Sequence, residues 1–373
     1  KFHRPRGPSC FRAACDGCLA RVDGVPNVMT CRARAHAGAE IVTQNTLGTR
    51  DVDLLRVTDW FFPKGMNHHE LFAGVVGVDR LMQSFARRVA GLGRLPKKVE
   101  AAREATRRDV DVLVVGSGPA GACTAIALAN AGRDVEVIDD ALVLGGSMRA
   151  LASAGWREIE DEFRGLVKAK KIRARTETTA VAIYGDDVLV VGAEGPEVIT
   201  AKVTVLACGA HDGVLAFEGN DVPGVVSARA AGLLLDRGVV LGKKIVIVTP
   251  EGGGPFGDAF AARASELGVA VTRVQGEPVR VSGASRVRGV VVRQGKKETK
   301  IACDALLVDA GRTASYELAA QAGAKVEQHG AGFVVAVSDC KARDRFFVVG
   351  ETVGSTLDVE SMRSDAAKVV RQI

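Results

Sequence analysis

The sequence contains no apolar run close to the roughly 18 residues that a membrane-spanning helix requires. Its formal net charge is only +6, and Lys and Arg are scattered along the chain, which argues against a nucleic-acid partner. No signal-peptide pattern follows Lys1, and the cysteines are not spread evenly as in a secreted disulfide framework. We therefore expect a cytoplasmic protein without a membrane span, with peripheral association at a membrane surface as an option.

The sequence also shows no nucleophile with an adjacent base and no paired general acid and base. Catalysis by side chains alone is therefore not indicated. The chain has 373 residues, well above the ~250 residues at which single cores stop growing, so we expect two or three domains.

A strand, a glycine-rich turn, a helix and a second strand are predicted in residues 109–148. Residues 112–115 and 135–138 are the strands, and residues 122–131 are the helix. The turn follows the pattern G-x-G-x-x-G, in which glycines permit a tight turn and the close approach of a pyrophosphate to a helix N-terminus. Asp139 ends the second strand, where a carboxylate can hold the adenosine ribose. The turn residues that we expect to bind a dinucleotide are Gly116, Gly118, Pro119, Ala120 and Gly121.

Four of the eight cysteines lie near the N-terminus with the spacing C-x4-C-x2-C-x12-C, at Cys10, Cys15, Cys18 and Cys31. The first three match the run of plant-type 2Fe-2S proteins, and we expect all four to be metal ligands. Residues 19–22 and 28–31 are predicted strands joined by a turn over residues 23–27, which would return Cys31 to the other three. Four thiolates also suit tetrahedral zinc, so a zinc site remains the alternative, and cysteines that bind no metal are a third option. The other four cysteines, isolated in apolar contexts, are most simply small buried hydrophobes.

The segment HRPRG at residues 3–7, with this cysteine pattern, resembles the ferredoxin-type domain that precedes a family of flavoproteins. The family includes the α chain of heterotetrameric sarcosine oxidase, subunits of hydrogen cyanide synthase, and dye-linked proline, hydroxyproline and opine dehydrogenases. ACGAHD at residues 207–212 and NDVPG at residues 220–224 extend the resemblance over nearly the whole chain. A β-hairpin precedes HRPRG in that family, so the chain is expected either to be truncated or not to have retained it.

The resemblance implies FAD as the occupant of the first unit. It places Gly-Gly at 145–146 beside the pyrophosphate, a sharp turn at Gly209, and a ribityl-binding carboxylate after Gly350, where Glu351 replaces the usual Asp. A buried carboxylate without a hydroxyl partner is unfavourable, which favours a functional role for Glu351. The further residues assigned to the FAD site are Asp140, Gly145, Gly146, Ser147, Cys208, Gly209, His211, Gly350 and Glu351. Disulfide reductases carry a C-x4-C motif directly after the Gly-Gly pair, and its absence here excludes a thiol-relay reductase.

A second dinucleotide-like unit is predicted from residue 243 onward. An apolar strand over residues 243–248 is followed by a turn that contains the candidate binding residues Gly252, Gly254 and Gly257. Glu251 in this turn would repel a pyrophosphate, and Gln275 stands where a ribose-binding acid is expected. The fold of the unit is therefore predicted, while ATP, NAD(P) or no nucleotide remain open as its occupant.

The predicted fold class is α/β, with two Rossmann-like dinucleotide-binding domains, as in disulfide-reductase-like flavoproteins, preceded by a small, partial ferredoxin-like α+β domain. Residues 1–45 form the predicted 2Fe-2S domain, and residues 46–108 form a linker with a helix. Residues 109–222 and 335–373 form the FAD-binding domain, and residues 223–334 form the second nucleotide-binding-like domain. Residues 97–108 are expected to be a solvated helix leading into the first strand.

The resemblance implies an electron-transfer α subunit, carrying FAD and a 2Fe-2S cluster, of a hetero-oligomeric amine or amino-acid dehydrogenase or oxidase. Its partner would be a catalytic FAD-containing β subunit, with an FMN at their interface and a further small subunit as options. The chain ends soon after Glu351, without the folate-handling domain of sarcosine oxidase α chains, which favours the dehydrogenase branch. The alternatives are a stand-alone NAD(P)H-dependent flavin oxidoreductase and a non-catalytic scaffold with a zinc-stabilised N-terminal domain.

Overall fold

The computed structural model describes residues 10–11, 15, 17–43, 47–49, 52–57, 60, 77–78, 80–81, 83–84, 103–330 and 332–373. The HRPRG segment and residues 97–102 of the predicted linker helix lie outside these ranges. Within them, no helix has the length and apolar character needed to cross a membrane.

A small antiparallel sheet follows the first three cysteines. Its strands are β1 (Leu19–Val22), β2 (Val25–Met29) and β3 (Ile41–Val42), in the order β2-β1-β3. The predicted hairpin is confirmed, but its turn is shorter than predicted. Asp23 and Gly24 alone make the turn, both with positive φ (50° and 78°), as in the tight hairpin turns that Asp-Gly favours. A 3-10 helix covers Leu54–Val57.

The first nucleotide-binding unit contains most of the predicted elements, with shifted ends. Its strand β4 (Thr106–Val115) begins inside the stretch that was expected to be a helix, because Thr106 to Arg108 pair with residues of a neighbouring strand. The other elements, in chain order, are α1 (Pro119–Asn130), β5 (Val135–Ile138), α2 (Met148–Leu151), α3 (Ala154–Lys168), β6 (Ile172–Arg175), β7 (Thr179–Tyr184), β8 (Asp187–Gly192), β9 (Gly195–Leu206) and β10 (Ala210–Asp212).

The second unit is a smaller parallel sheet with an antiparallel sheet beside it. Its elements are β11 (Val225–Ser227), α4 (Ala228–Leu235), β12 (Lys244–Thr249), α5 (Phe256–Glu266), β13 (Ala270–Gln275), β14 (Glu277–Gly283), β15 (Val287–Gln294), β16 (Lys297–Ala302) and β17 (Ala305–Val308). The parallel sheet has the order β11-β17-β12-β13, and β14, β15 and β16 form the antiparallel one.

The chain then returns to the first unit. The remaining elements are β18 (Arg312–Ala314), α6 (Glu317–Gln321), β19 (Val326–His329), β20 (Gly332–Val335), β21 (Lys341–Arg343), β22 (Phe346–Val348), a 3-10 helix (Gly350–Val353) and α7 (Val359–Val370). The last helix begins after Asp358, whose side chain accepts a hydrogen bond from the Ser361 N–H at 2.7 Å.

The main sheet combines strands β4 to β9 with the late strands β21 and β22. Its strand order is β21-β22-β9-β4-β5-β6, and β8 and β7 extend from β9 as an antiparallel pair. The central strands β22, β9, β4, β5 and β6 run parallel, so their carboxyl ends lie at one edge. Helix α1 packs on this sheet against α3 and α7 and is buried on most of its surface, as its small apolar residues predict. The predicted α/β fold class is therefore confirmed.

A buried carboxylate in the sheet holds three arginines. Glu136 on β5 is 2 % exposed, and Arg108 donates to its oxygens at 2.9 and 2.5 Å, while Arg173 donates at 2.8 Å. Arg175 lies 3.4 Å from Glu136 and donates to both oxygens of Glu197, at 2.8 and 2.9 Å. Burial raises the pKa of Glu136, but the hydrogen bonds and charges of these arginines outweigh burial and lower the pKa.

Replacing Glu136 with Gln should reduce the free energy of unfolding by roughly 2–3 kcal/mol at neutral pH, because the arginines lose their buried counter-charge. Denaturant titration measures this change. Glu298→Gln, at an exposed position of β16, is the matched control and should change it by less than about 0.5 kcal/mol.

The pH dependence of this difference checks its origin. Because the folded-state pKa of Glu136 is lowered, its stabilisation is fully present above the ordinary value of about 4.3 and is lost as the pH falls through the lowered value. The difference in free energy of unfolding between wild type and Glu136→Gln should therefore disappear in acid. A gap that stayed constant would show that the ion pairs are not its cause.

Candidate cofactor site

A cavity of about 460 Å³ lies at the carboxyl ends of β4, β5 and β9. Ligands bind at this edge in open parallel sheets. The predicted residues that line it are Gly116, Gly118, Pro119, Ala120, Asp139, Asp140, Gly146, Ser147, Cys208, Gly209, His211 and Glu351. The predicted residues Gly121, Gly145 and Gly350 are not part of this lining. The structure thus gathers into one place segments that are more than 200 positions apart in the chain.

The glycine-rich turn presents helix α1 to the cavity. A Cβ atom at Gly121 would overlap the carbonyl oxygen of Gly116, so the turn cannot close around a larger residue at that position. A Cβ atom at Gly118 would meet nothing within 4 Å, which leaves open space directly before the helix. Gly118 caps α1 without a side-chain hydrogen bond. The first N–H groups of α1 are therefore placed to receive an anion such as a pyrophosphate.

Asp139 holds the turn as well as lining the cavity. Its Oδ2 accepts hydrogen bonds from the Ser117 N–H at 2.7 Å and the Ser117 hydroxyl at 2.6 Å, and its Oδ1 accepts from the Ala141 N–H at 2.7 Å. The Gly145 N–H donates to the Ser117 hydroxyl at 3.1 Å. A carboxylate has about four acceptor positions, so Asp139 retains capacity for ribose hydroxyls.

The Gly-Gly pair at 145–146 passes over the turn. Gly146 has a φ of 48°, and a Cβ atom there would lie 2.8 Å from the Cα of Gly118. Only glycine allows this approach, so the pair lies directly against the turn that is predicted to bind the pyrophosphate. The role that the family resemblance implied for this pair stays a prediction.

Glu351 has a charged protein partner. Arg312 Nη1 lies 2.9 Å from Glu351 Oε2, and both side chains are largely buried. The guanidinium also donates from Nη2 to the Ala210 carbonyl at 2.8 Å and lies over the ring of Phe256. Burial of Glu351 is therefore explained without a ribityl hydroxyl, so the sequence argument for its function loses its basis. Its position in the cavity lining still allows that contact.

A second buried arginine connects the cavity wall to the cysteine-rich segment. Arg229, at the start of α4, donates to the two oxygens of Asp212 at 2.7 and 2.6 Å. Its Nη2 also donates to the carbonyl oxygen of Cys10 at 2.8 Å. Burial raises the pKa of Asp212, but the hydrogen bonds and charge of Arg229, with the charge of Arg312, hold it below its usual range. Asp212 thus neutralises an arginine that anchors the first cysteine.

The cysteines are brought together in two pairs by backbone contacts. The Cys15 N–H donates to the Cys10 sulfur at 3.3 Å, the type of contact that stabilises sulfur ligands of iron–sulfur clusters. The Cys18 carbonyl accepts from both the N–H and the hydroxyl of Thr30, which places Cys31 next to Cys18. Among the described residues, no three His, Cys, Asp or Glu side chains form a group that could hold a metal ion. The four-cysteine cluster therefore stays a prediction that the donor set and these contacts fit.

The cysteine-rich segment lies against the first unit. Arg32 forms an ion pair with Asp140 at 3.4 Å, and Arg34 donates from Nε to Glu177 at 2.8 Å. Phe11 and Cys31 line the same cavity as the glycine-rich turn. One wall of the candidate FAD site is therefore built by the segment that carries the predicted metal ligands.

The second glycine-rich turn lies outside this cavity. Gly252 and Gly254 stand between β12 and α5, Gly257 is the second residue of α5, and Gln275 is the last residue of β13. Arg273 forms an ion pair with Asp258 at 2.5 Å. The carboxylate of Asp309 reaches the start of α5 and accepts a hydrogen bond from the Gly257 N–H at 2.7 Å.

Sequence reasoning missed Ser117, Asp212, Arg229 and Arg312 as site residues. Ser117 occupies a variable position of the turn pattern, and no local signal marks it. Arg229 contacts a residue 219 positions away, which sequence spacing cannot reveal. His211 was predicted to line the flavin environment, and it lines the cavity with its Nε2 3.7 Å from Glu317 Oε1.

The residues around the cavity fit FAD. An uncapped helix N-terminus with open space at Gly118 suits the pyrophosphate, and Asp139 and Asp140 suit the ribose. Cys208, Gly209 and Glu351 lie further along the same cavity. Which atoms they contact remains a prediction.

Two family models match the chain. Residues 110–283 match the family "Pyridine nucleotide-disulphide oxidoreductase", and residues 1–46 match "2Fe-2S iron-sulfur cluster binding domain". The second match favours iron–sulfur over zinc for the cysteine quartet.

Among curated proteins, the chain is similar to sarcosine oxidase subunit alpha of Rhizobium meliloti (strain 1021), with 26 % identity over 87 % of this chain and 38 % of that protein. The same subunit of Corynebacterium sp. (strain P-1) is 32 % identical over 43 % of this chain and 19 % of that protein. The chain thus spans less than two fifths of the length of these relatives.

Solved structures share the fold. L-proline dehydrogenase from P. horikoshii has a TM-score of 0.69 at 21 % identity, covering 95 % of this chain and 63 % of that one. Thioredoxin reductase from T. acidophilum has a TM-score of 0.54 at 18 % identity, covering 71 % and 97 %. The chain thus matches a 2Fe-2S iron-sulfur cluster binding domain ahead of a pyridine nucleotide-disulphide oxidoreductase domain, and its sequence is similar to that of sarcosine oxidase subunit alpha.

Proposed function

We propose that the chain is the electron-transfer α subunit of a hetero-oligomeric amine or amino-acid dehydrogenase or oxidase, of the proline, hydroxyproline, opine or sarcosine type. It would carry FAD in the first unit and a 2Fe-2S cluster on Cys10, Cys15, Cys18 and Cys31. Its electrons would come from a catalytic FAD-containing β subunit. An FMN at the interface and a further small subunit belong to the same proposal.

The observation that carries the proposal is the shared wall of the cavity. Phe11 and Cys31 face the same space as Gly118 and Glu351. Arg229 of the second unit, which is bonded to Asp212 of the first, donates to the Cys10 carbonyl. A bound FAD accepts two electrons as hydride and releases them singly, whereas a 2Fe-2S cluster carries one at a time. A cluster in the cavity wall is placed to exchange electrons with a flavin in the cavity.

The side chains around the cavity are suited to bind and orient a cofactor more than to react themselves. Gly118 and the start of α1 would receive the pyrophosphate, and Asp139 would accept hydrogen bonds from the ribose. The ion pair of Arg312 with Glu351 fixes the carboxylate in the lining, and that of Arg229 with Asp212 fixes the cysteine-bearing wall. This arrangement supports oxidation of the substrate in another polypeptide.

The relatives support a partner of this kind. Two curated proteins with similar sequence are named subunit alpha of sarcosine oxidase, and a protein of similar fold is an L-proline dehydrogenase. Both names concern oxidation at a carbon–nitrogen bond. The proposal therefore places the substrate among secondary amines and imino or amino acids.

The source of the electrons tests the proposal directly. In the assembly purified from its natural source, addition of proline, hydroxyproline, an opine or sarcosine should bleach the flavin absorbance and reduce the cluster. The isolated chain with NADH should show no steady-state turnover. Sustained oxidation of NADH by the isolated chain would instead establish a stand-alone flavin oxidoreductase.

Cys15→Ser should remove iron and labile sulfide while FAD remains bound, because Cys15 lies outside the lining of the FAD cavity. Iron and sulfide assays, with the flavin absorbance, measure the outcome. Cys303→Ala, at a buried cysteine of the second unit, is the control and should keep both groups. Zinc in place of iron and sulfide in the wild type would support the scaffold alternative.

Gly118→Ala should leave the fold intact and weaken FAD binding at least about tenfold, equivalent to ~1.4 kcal/mol. The added methyl meets no protein atom but enters the space assigned to the pyrophosphate. FAD titration of the apoprotein and thermal melting measure the two effects. Gly165→Ala, near the end of α3, also meets no atom but lies outside the cavity lining, so it should leave FAD affinity unchanged. If Gly118→Ala and wild type bound FAD with equal affinity, the pyrophosphate would not lie at Gly118.

A further inference from the structure

The two nucleotide-binding units contain equivalent elements in the same arrangement. In the first, β4 leads into α1 and pairs with β9; in the second, β12 leads into α5 and pairs with β17. The residue after β9 is Ala207, whose N–H donates to the Val115 carbonyl at 2.8 Å. The residue after β17 is Asp309, whose N–H donates to the Val248 carbonyl at 3.0 Å. Ala207 and Asp309 therefore occupy equivalent positions.

Contacts with the helices confirm this equivalence. A Cβ atom at Gly121 of α1 would lie 3.2 Å from the Cβ of Ala207. A Cβ atom at Gly257 of α5 would lie 3.3 Å from the Cβ of Asp309. The backbone is thus arranged alike in the two units. At this position the first unit has the methyl group of Ala207, and the second unit has the carboxylate of Asp309.

The Asp309 carboxylate fills the space before α5. Its Oδ2 accepts a hydrogen bond from the Gly257 N–H at 2.7 Å, and its Oδ1 lies 3.1 Å from where a Cβ atom of Gly254 would stand. Asp309 is 2 % exposed. At the corresponding place in the first unit, the space around Gly118 is open. The N–H groups that bind a pyrophosphate in such a fold here bind an anion from the chain itself.

We propose that Asp309 is a specificity-determining residue, whose carboxylate occupies the phosphate position of the second unit and excludes NAD(P)H and ATP from it. The inference rests on the proposed function and deepens it: with the second unit closed to pyridine nucleotides, electrons enter the chain from the partner subunit. The second unit then serves as a scaffold that supplies Arg229 and Phe256 to the cavity region.

The charges around the second turn act in the same direction. Burial raises the pKa of Asp309 to about 6, and the charges of Asp258 and Asp212 add to this rise. Asp309 is therefore ionised above neutral pH, where its negative charge repels phosphate groups. Asp258 also stands in the first turn of α5 and pairs with Arg273, the basic residue otherwise available for a 2′-phosphate.

The test is a binding titration of the full chain, loaded with FAD, with NADH, NADPH and ATP at about pH 8, where Asp309 is ionised. The wild type should show no saturable binding up to about 1 mM of any of the three. Asp309→Ala, which copies Ala207 of the first unit, should bind at least one of them at least about tenfold more tightly than wild type does.

Two control variants separate filling from charge. Asp309→Asn removes the charge but keeps the volume of the side chain in front of α5, so it should gain less affinity than Asp309→Ala does. Glu266→Ala removes an exposed acid from the last turn of the same helix and should behave as wild type. FAD content and thermal melting check that each variant is folded, and Asp309→Ser replaces Asp309→Ala if the latter does not fold.

Saturable nucleotide binding by the wild type overturns the inference, and this measurement needs no variant. Folded Asp309→Ala and Asp309→Ser proteins that bind no nucleotide overturn it as well, since Asp309 would then not be the obstacle. The proposed function fails separately, if substrates of the partner do not reduce the flavin of the assembly. Nucleotide binding and partner-driven reduction are independent readouts, so the two failures are distinguishable.

Discussion

The buried carboxylate of Asp212 is the interaction on which the candidate site depends. It lies at the end of β10, between the guanidinium groups of Arg229 and Arg312, 4.0 Å from the second of these. Arg229 reaches the Cys10 carbonyl, and Arg312 reaches Glu351. Without this negative charge, two arginines with 5 % and 8 % exposed side chains would be buried beside each other, which is strongly unfavourable. Asp212 therefore holds the cysteine-rich wall through Arg229, and it adds to the charge of Glu351 in compensating Arg312.

Two units of the same architecture differ in what stands before their helices. Helix α1 begins in open space, with its N–H groups directed to a cavity large enough for part of a dinucleotide. Helix α5 begins against Asp309, so its N-terminal charge is compensated within the protein. Both arrangements satisfy the helix end, but only the first leaves that end available to a ligand. A glycine-rich pattern alone does not distinguish them.

The elements with local signals were predicted well from the sequence. The strands of residues 135–138 and 19–22 were placed correctly, and the hairpin after Cys18 was predicted with too long a turn, since alternation and turn residues act over a few positions. The predicted start of β4 was wrong, because the charged residues Arg107 and Arg108 suggested a solvated helix. In the structure both side chains form ion pairs across the sheet, with Asp187 and Glu136, and tertiary pairing overrides the local preference.

The sequence by itself determined the α/β fold, the glycine-rich turn of the first unit and the spacing of the cysteines, because sterics and hydrogen bonding within a few residues govern each. Only the tertiary structure decided that Cys31 faces the same cavity as Gly118, that Arg312 pairs with Glu351, and that Asp309 closes the second turn from 52 positions away. Such contacts depend on which strand ends lie side by side in the sheets. No periodicity in the chain records that arrangement.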